Sequence, residues 1–196
     1  PRGSRRVHPV AAVTFSVCIF CGSSFGDDPR YTDAARETGA EIARRGWTLV
    51  YGGARVGLMG VVANAALDAG GRVVGVVPRF LYEREVGHDG ITSLEIVGSL
   101  TERKLRMGEL SDAFLSLPGG IGTLDELFEA WSWSQVGLQS KPSALLNVAG
   151  YYDALVSFIG RATAAGFVKP QHRLWLSVSD DVGELLDGFR RRPSPP

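Results

Sequence analysis

The sequence predicts an α/β fold of the Rossmann-like, doubly wound kind: one parallel sheet with helices on both faces. Three observations predict it. Short apolar, β-branched runs alternate with amphipathic helical stretches, the pattern of a parallel sheet covered on both sides. Glycine-rich segments follow several of those runs directly, at the strand ends where such sheets bind ligands. The 196 residues, 44% of them hydrophobic, suffice for one buried core and fall short of two full domains.

In chain order, the first strand is read at residues 15–20, running into Gly22-Ser23-Ser24, with a helix at 29–45. The second, 48–51, runs into Gly52-Gly53-Ala54-Arg55-Val56-Gly57-Leu58-Met59-Gly60 and a helix at 58–69. The third, 72–77, ends in Pro78-Arg79; a weaker strand at 93–97 precedes a helix at 101–110. The fourth core strand, 113–117, runs into Pro118-Gly119-Gly120-Ile121-Gly122-Thr123 and a helix at 124–138. A strand at 143–147, a helix at 151–165, a weaker strand at 174–178 and a helix at 182–189 complete the reading. Residues 1–12 are expected to be disordered, with Pro1-Arg2-Gly3-Ser4 resembling a tag remnant. Residues 13–189 form the single domain, and 190–196, rich in Arg and Pro, a flexible tail. Arg5-Arg6 before the apolar stretch 10–21 has the outline of a signal peptide, but cleavage there would remove the first core strand.

Charge and composition narrow the function. Lys plus Arg and Asp plus Glu each number 21, so no global field attracts nucleic acid or an anionic membrane, and neither is expected as a partner. No apolar run approaches the roughly 20 residues of a membrane span, and a cytoplasmic place is expected. Cys18 and Cys21 share a C-x-x-C spacing, but in a strand residues three apart face opposite sides, so buried thiols are expected rather than a redox pair. His8, His88 and His172 are isolated from other ligand types, and no metal site is expected.

The loops carry the chemistry. Three glycines between strand and helix let backbone N–H groups approach an anion, and the helix dipole favours negative charge there, so the segment after Leu117 is read as a cradle for a phosphorylated nucleotide. The spacing at residues 53–60 is G-x-x-x-G-x-x-G rather than G-x-G-x-x-G, which disfavours a dehydrogenase. No G-x-x-x-x-G-K-[ST] exists, which disfavours an ordinary NTPase. Thr123-Leu124-Asp125-Glu126 reads as a capping box, or as a first-turn carboxylate beside a bound sugar phosphate, where it would stabilise positive charge on the sugar or position water. Arg103 and Lys104 sit near a helix N-terminus, against the dipole, and so call for an anion or a carboxylate partner. Glu85 taken alone reads as surface charge.

Cys21-Gly22-Ser23-Ser24, Tyr51-Gly52-Gly53, Val56-Gly57-Leu58-Met59-Gly60, Glu102-Arg103-Lys104 and Pro118-Gly119-Gly120-x-Gly122-Thr123-x-x-Glu126 together resemble the Lonely Guy (LOG) family. Its members are cytokinin-activating phosphoribohydrolases, often mislabelled lysine decarboxylases. The resemblance covers residues 15–178. It implies hydrolysis of the N-glycosidic bond of a nucleoside 5'-monophosphate, typically an N6-modified AMP, to free base and ribose 5-phosphate, with no cofactor and commonly as a homodimer. It implies Arg103 and Glu126 as catalytic residues. It implies Glu85, Arg103, Lys104, Gly119, Gly120, Ile121, Gly122, Thr123, Leu124, Asp125 and Ser132 as substrate contacts. Within that picture the loop amides and Lys104 hold phosphate, while Arg103 orients ribose or Glu126. Trp131, Trp133 and Val136 offer either a subunit contact or core packing. The chain departs from many members at Ser99-Leu100-Thr101, where they carry Met-His, which bears on base preference. The lysines are Lys104, Lys141 and Lys169, none with evident surroundings for a pyridoxal phosphate Schiff base. The rival reading is a non-catalytic carrier or sensor of a nucleotide-containing cofactor, which would have no need of the Arg103 and Glu126 pair.

Overall fold

Seven strands form one parallel sheet in the computed structural model, which describes residues 15–191, the side chains of Glu85 and Val86 excepted. The strands are β1 (Ser16–Phe20), β2 (Thr48–Tyr51), β3 (Arg72–Pro78), β4 (Ser93–Val97), β5 (Ala113–Ser116), β6 (Ser143–Leu146) and β7 (Leu176–Ser179). Their spatial order is β4-β3-β2-β1-β5-β6-β7. The chain therefore winds outward from β1 in one direction and from β5 in the other. Such a reversal opens a crevice at the carboxyl ends of the two central strands. The register Phe20↔Ser116 brings those ends level.

Every residue of β1, β2, β5 and β6 is buried, as expected of strands covered on both faces. The weaker strands at 93–97 and 174–178 are the sheet edges β4 and β7. Both are only partly buried, so their apolar signal is diluted, and β7 begins two residues later than read because residues 170–174 form a short helix.

The helices are α1 (Pro29–Arg44), α2 (Gly57–Asp68), α3 (Arg79–Leu81), α4 (Leu100–Glu109), α5 (Ile121–Gln135), α6 (Asp153–Ala164), α7 (Pro170–Leu174) and α8 (Val182–Arg191), with a π-helical turn at Tyr82–Val86 and a 3-10 turn at Val148–Gly150. Ala35 and Ile42 of α1, Leu58 and Val62 of α2 and Leu185 of α8 pack on one face of the sheet with Val17, Ile19 and Leu115. Met107 of α4 and Ala130 of α5 meet Cys18, Phe20 and Phe114 on the other face. Leu127 and Trp131 of α5 and Ile159 of α6 extend that layer over Leu145. Cys18 and Cys21 are free thiols in opposite layers, both held protonated by burial. Helix α8 runs through Arg191, past the expected boundary at 189; the segment 1–12 and residues 192–196 lie outside the described residues.

Two helix starts position the site. Ser99 caps α4: its hydroxyl accepts the Glu102 N–H at 3.1 Å, and Glu102 reaches back to the Gly98 N–H at 2.7 Å, a reciprocal arrangement of the capping-box kind. Helix α5 has no side-chain cap and begins after Gly120, three residues earlier than read. Thr123 is therefore its third residue rather than its cap, and of the two readings of Thr123 to Glu126 the capping box does not form. The extended backbone of Gly120 (φ −89°, ψ −154°) starts the helix without a side-chain acceptor. The amides of Ile121, Gly122 and Thr123 thus have no partner within the helix.

Candidate active site

The loops after β1, β2 and β5 interlock at the carboxyl edge. Gly22 N–H donates to Pro118 O at 3.0 Å, tying the first loop to the third across the crevice. A Cβ on Gly119 would collide with Thr123 Oγ1 and lie 2.8 Å from Gly22 N. At Gly57, φ is +55° and a Cβ would strike the Ser23 backbone, so only glycine meets both the conformational and the spatial demand. Thr123, 3% exposed, is tucked under Gly119, which leaves the Gly120–Gly122 backbone outermost.

Beside this cradle, α4 and α5 bring together the two residues singled out by sequence. Arg103 Nη2 donates to Glu126 Oε1 at 2.6 Å, and both side chains are largely withdrawn from water. The guanidinium lies over the end of β2, where a Cβ on Gly52 would meet Arg103 Nη1 at 3.5 Å. Arg103 Nε is buried without a hydrogen-bond partner. Glu126 is 9% exposed. Burial pushes its carboxyl up from 4.5 to about 7; the positive Arg103 pulls it down, and Asp125 adds to the rise. Two residues and one ion pair thus place a carboxylate that titrates near neutrality next to a helix start rich in unpaired N–H groups.

Lys104 follows a different course from a free phosphate ligand. Its Nζ lies 2.6 Å from Glu129 Oε2 and 3.1 Å from Asp125 Oδ2, and these carboxylates, Glu129 first, hold its pKa up. The carboxylate partners that the placement of Arg103 and Lys104 called for thus come from α5. Glu129, silent in the sequence reading, is the third charged residue of this junction; its signal was the i, i+3 spacing from Glu126 on one helix face.

The other expected contacts divide. Gly119, Gly120, Ile121 and Gly122 line the rim, with Ile121 88% exposed, while Leu124 turns inward against the core. Ser132 is exposed and lies one turn beyond Glu129 on α5. Glu85 falls in the π-helical turn, and its side chain lies outside the described residues. Trp131 is core, its Nε1 donating to His172 O at 3.0 Å; Trp133 packs over Gly108, and Val136 is exposed.

On the far side of the glycine loop opens a cleft of about 280 Å³ lined by Gly22, Phe25, Tyr31, Gly119, Gly120 and Tyr151, among others. A smaller recess on the other side adjoins Glu126 and Lys104, walled by Phe20, Phe114 and Trp133. Two tyrosines missed by the sequence reading brace the loop between them. Tyr151 Oη donates to Gly119 O and Tyr152 Oη to Leu117 O, both at 2.6 Å. Their signal was position, since they follow β6 at the same sheet edge.

A family model described as "Possible lysine decarboxylase" matches residues 59–189. A probable cytokinin riboside 5'-monophosphate phosphoribohydrolase of Oryza sativa subsp. japonica is 50% identical over 165 residues, 84% of this chain and 73% of that protein. A cytokinin riboside 5'-monophosphate phosphoribohydrolase of Rhodococcoides fascians is 49% identical over 176 residues, 89% of each chain. One from Arabidopsis thaliana is 46% identical over 170 residues, 87% of this chain and 80% of that one. Among solved structures, the molybdenum cofactor binding protein of Rippkaea orientalis superposes with a TM-score of 0.70 at 22% identity, covering 92% of this chain and 98% of that one. The molybdenum cofactor carrier protein of Chlamydomonas reinhardtii gives 0.69 at 20% identity, covering 91% and 97%. At those identities the likeness is one of fold.

Proposed function

The chain belongs to the Lonely Guy (LOG) family, and from that premise we propose that it hydrolyses the N-glycosidic bond of adenosine 5'-monophosphates, N6-modified ones among them. The products are a free adenine-type base and ribose 5-phosphate. The observation that carries this reading is the Arg103–Glu126 pair, buried at 2.6 Å beside the glycine cradle.

As the bond between the anomeric carbon and the base nitrogen breaks, the bonding electrons leave with the base and the sugar becomes oxocarbenium-like. The ionised Glu126 carboxylate stabilises that charge and accepts a proton from the attacking water. The water oxygen bonds to the anomeric carbon, and the proton that Glu126 took from it is returned to the departing base nitrogen, which restores the carboxylate, so water and substrate alone complete the reaction. The phosphate is held by the amides of the first turn of α5 and the loop before it. Lys104 joins α4 to α5 through Asp125 and Glu129, and its single positive charge offsets part of theirs beside this turn. Arg103 favours the ionised form of Glu126 and holds the carboxylate in place.

The decarboxylase description fits the lysines poorly: Lys104 is committed to two carboxylates, Lys141 Nζ donates to Gly108 O at 2.6 Å, and Lys169 precedes α7 on the surface. The family also supports a homodimer, and Leu105, Ile121, Val136 and Leu138 present exposed apolar surface on and near α4 and α5. No described helix is long and apolar enough to cross a membrane.

The test is chromatography of base released from AMP and N6-isopentenyl-AMP, with the free nucleosides as phosphate-less controls. Wild type is expected to release base from the monophosphates only, and Glu126→Gln to slow release by about 10²–10⁴-fold. Retained nucleotide binding with no release by wild type would sink the reading in favour of a carrier.

A further inference from the structure

Four consecutive carbonyls of the glycine loop are each claimed by a donor. Leu117 O accepts from Tyr152 Oη at 2.6 Å, Pro118 O from Gly22 N–H at 3.0 Å, Gly119 O from Tyr151 Oη at 2.6 Å, and Gly120 O from Leu124 N–H at 3.1 Å. Three of these donors belong to buried or regular structure. The fourth, Tyr151, is half-exposed in the wall of the cleft.

The backbone plane that Tyr151 holds lies between two glycines. The peptide is trans, so the Gly120 N–H points opposite to the Gly119 carbonyl. Anchoring the oxygen on the α6 side therefore turns the amide away from α6. Without the anchor little opposes rotation of this plane, because glycine tolerates backbone conformations closed to other residues. A rotated plane would present a carbonyl oxygen, the wrong partial charge, to a phosphate.

The segment that delivers the hydroxyl is itself over-determined. Asn147 Oδ1 accepts the Tyr152 N–H at 2.7 Å, and Asn147 Nδ2 donates to Asp153 at 2.8 Å. Ala149 is held at φ +55°, a left-handed conformation that a non-glycine residue keeps only where its surroundings impose it. The Tyr151 ring stands edge-on to Tyr31 at 5.5 Å and to Tyr152 at 4.9 Å, so its position does not depend on the hydroxyl.

We infer that Tyr151 is a positioning residue for the substrate's phosphate, acting through the Gly119–Gly120 peptide rather than through the Arg103–Glu126 pair. The inference rests on the phosphoribohydrolase reading for its substrate, and on the loop geometry for its mechanism.

Tyr151→Phe keeps the ring and removes one hydrogen bond. Steady-state kinetics with AMP, and calorimetric titration of ribose 5-phosphate and of adenine, test it. The expected result is an AMP KM and a ribose 5-phosphate Kd that both rise about 3–10-fold, with kcat within about twofold and adenine binding unchanged. Unchanged constants would overturn the inference. So would a fall in kcat with the ribose 5-phosphate Kd unmoved, the signature of a merely structural loss of active protein. If wild type binds ribose 5-phosphate but releases no base, the proposed activity fails, while a weaker Kd in Tyr151→Phe would still uphold the anchor. If wild type releases base and Tyr151→Phe matches it in every constant, the anchor fails and the activity stands.

Discussion

Glu126 is caught between two opposed effects: burial favours its neutral form, and one guanidinium at 2.6 Å favours its charged form. Burial is the larger, so the carboxyl sits near 7 rather than at 4.5. Because the proposed chemistry uses the ionised form, the acidic limb of kcat/KM is expected to rise with pH through about 7. Arg103→Gln removes the attraction that lowers the pKa, so the limb should move to higher pH as well as the plateau falling. A pH–rate profile of both proteins checks this; a limb that stays put in Arg103→Gln would assign it to another group. The sequence showed Arg103 and Glu126 as residue types in recognisable motifs. It did not show their contact, which spans 23 positions, nor the burial that moves the pKa.

At the scale of elements, two Ser/Thr-x-x-Glu patterns had opposite fates. Ser99 to Glu102 became a reciprocal cap of α4, while Thr123 to Glu126 became interior helix because Gly120 starts α5 earlier. Local spacing alone could not separate them, since the difference lies in where each helix begins. That early start is what points the first amides of α5 outward. The loop contacts behind it are equally demanding. Gly57→Ala would place a Cβ against the Ser23 backbone at φ +55°, and the expected outcome is a destabilisation of more than about 1 kcal/mol. A lower Tm together with weakened ribose 5-phosphate binding by calorimetry is the result to look for. An unchanged Tm would mean that the first and second loops part without cost.

For the whole molecule, the sheet order β4-β3-β2-β1-β5-β6-β7 sets β1 beside β5 and so gathers three glycine loops at one crevice. The exposed apolar residues of α4 and α5 lie on the layer beside that crevice, where a second copy would cover them. Light scattering at micromolar concentration is expected to give twice the chain mass; the chain mass itself would count against the homodimer. The class of fold, most of its strands and helices and the glycine loops after strands were legible in the sequence alone, and Arg103 and Glu126 were named by the family resemblance. Hydrophobic period, β-branched runs and glycine act locally, so they can be read in order along the chain. Tertiary structure decided which strands became edges, where α5 begins, that Arg103 meets Glu126, and that Tyr151 reaches Gly119 across 32 positions. These depend on packing: proximity and desolvation arise only when distant segments close together, and they decide which donors face the cleft and which carboxylate titrates near neutrality.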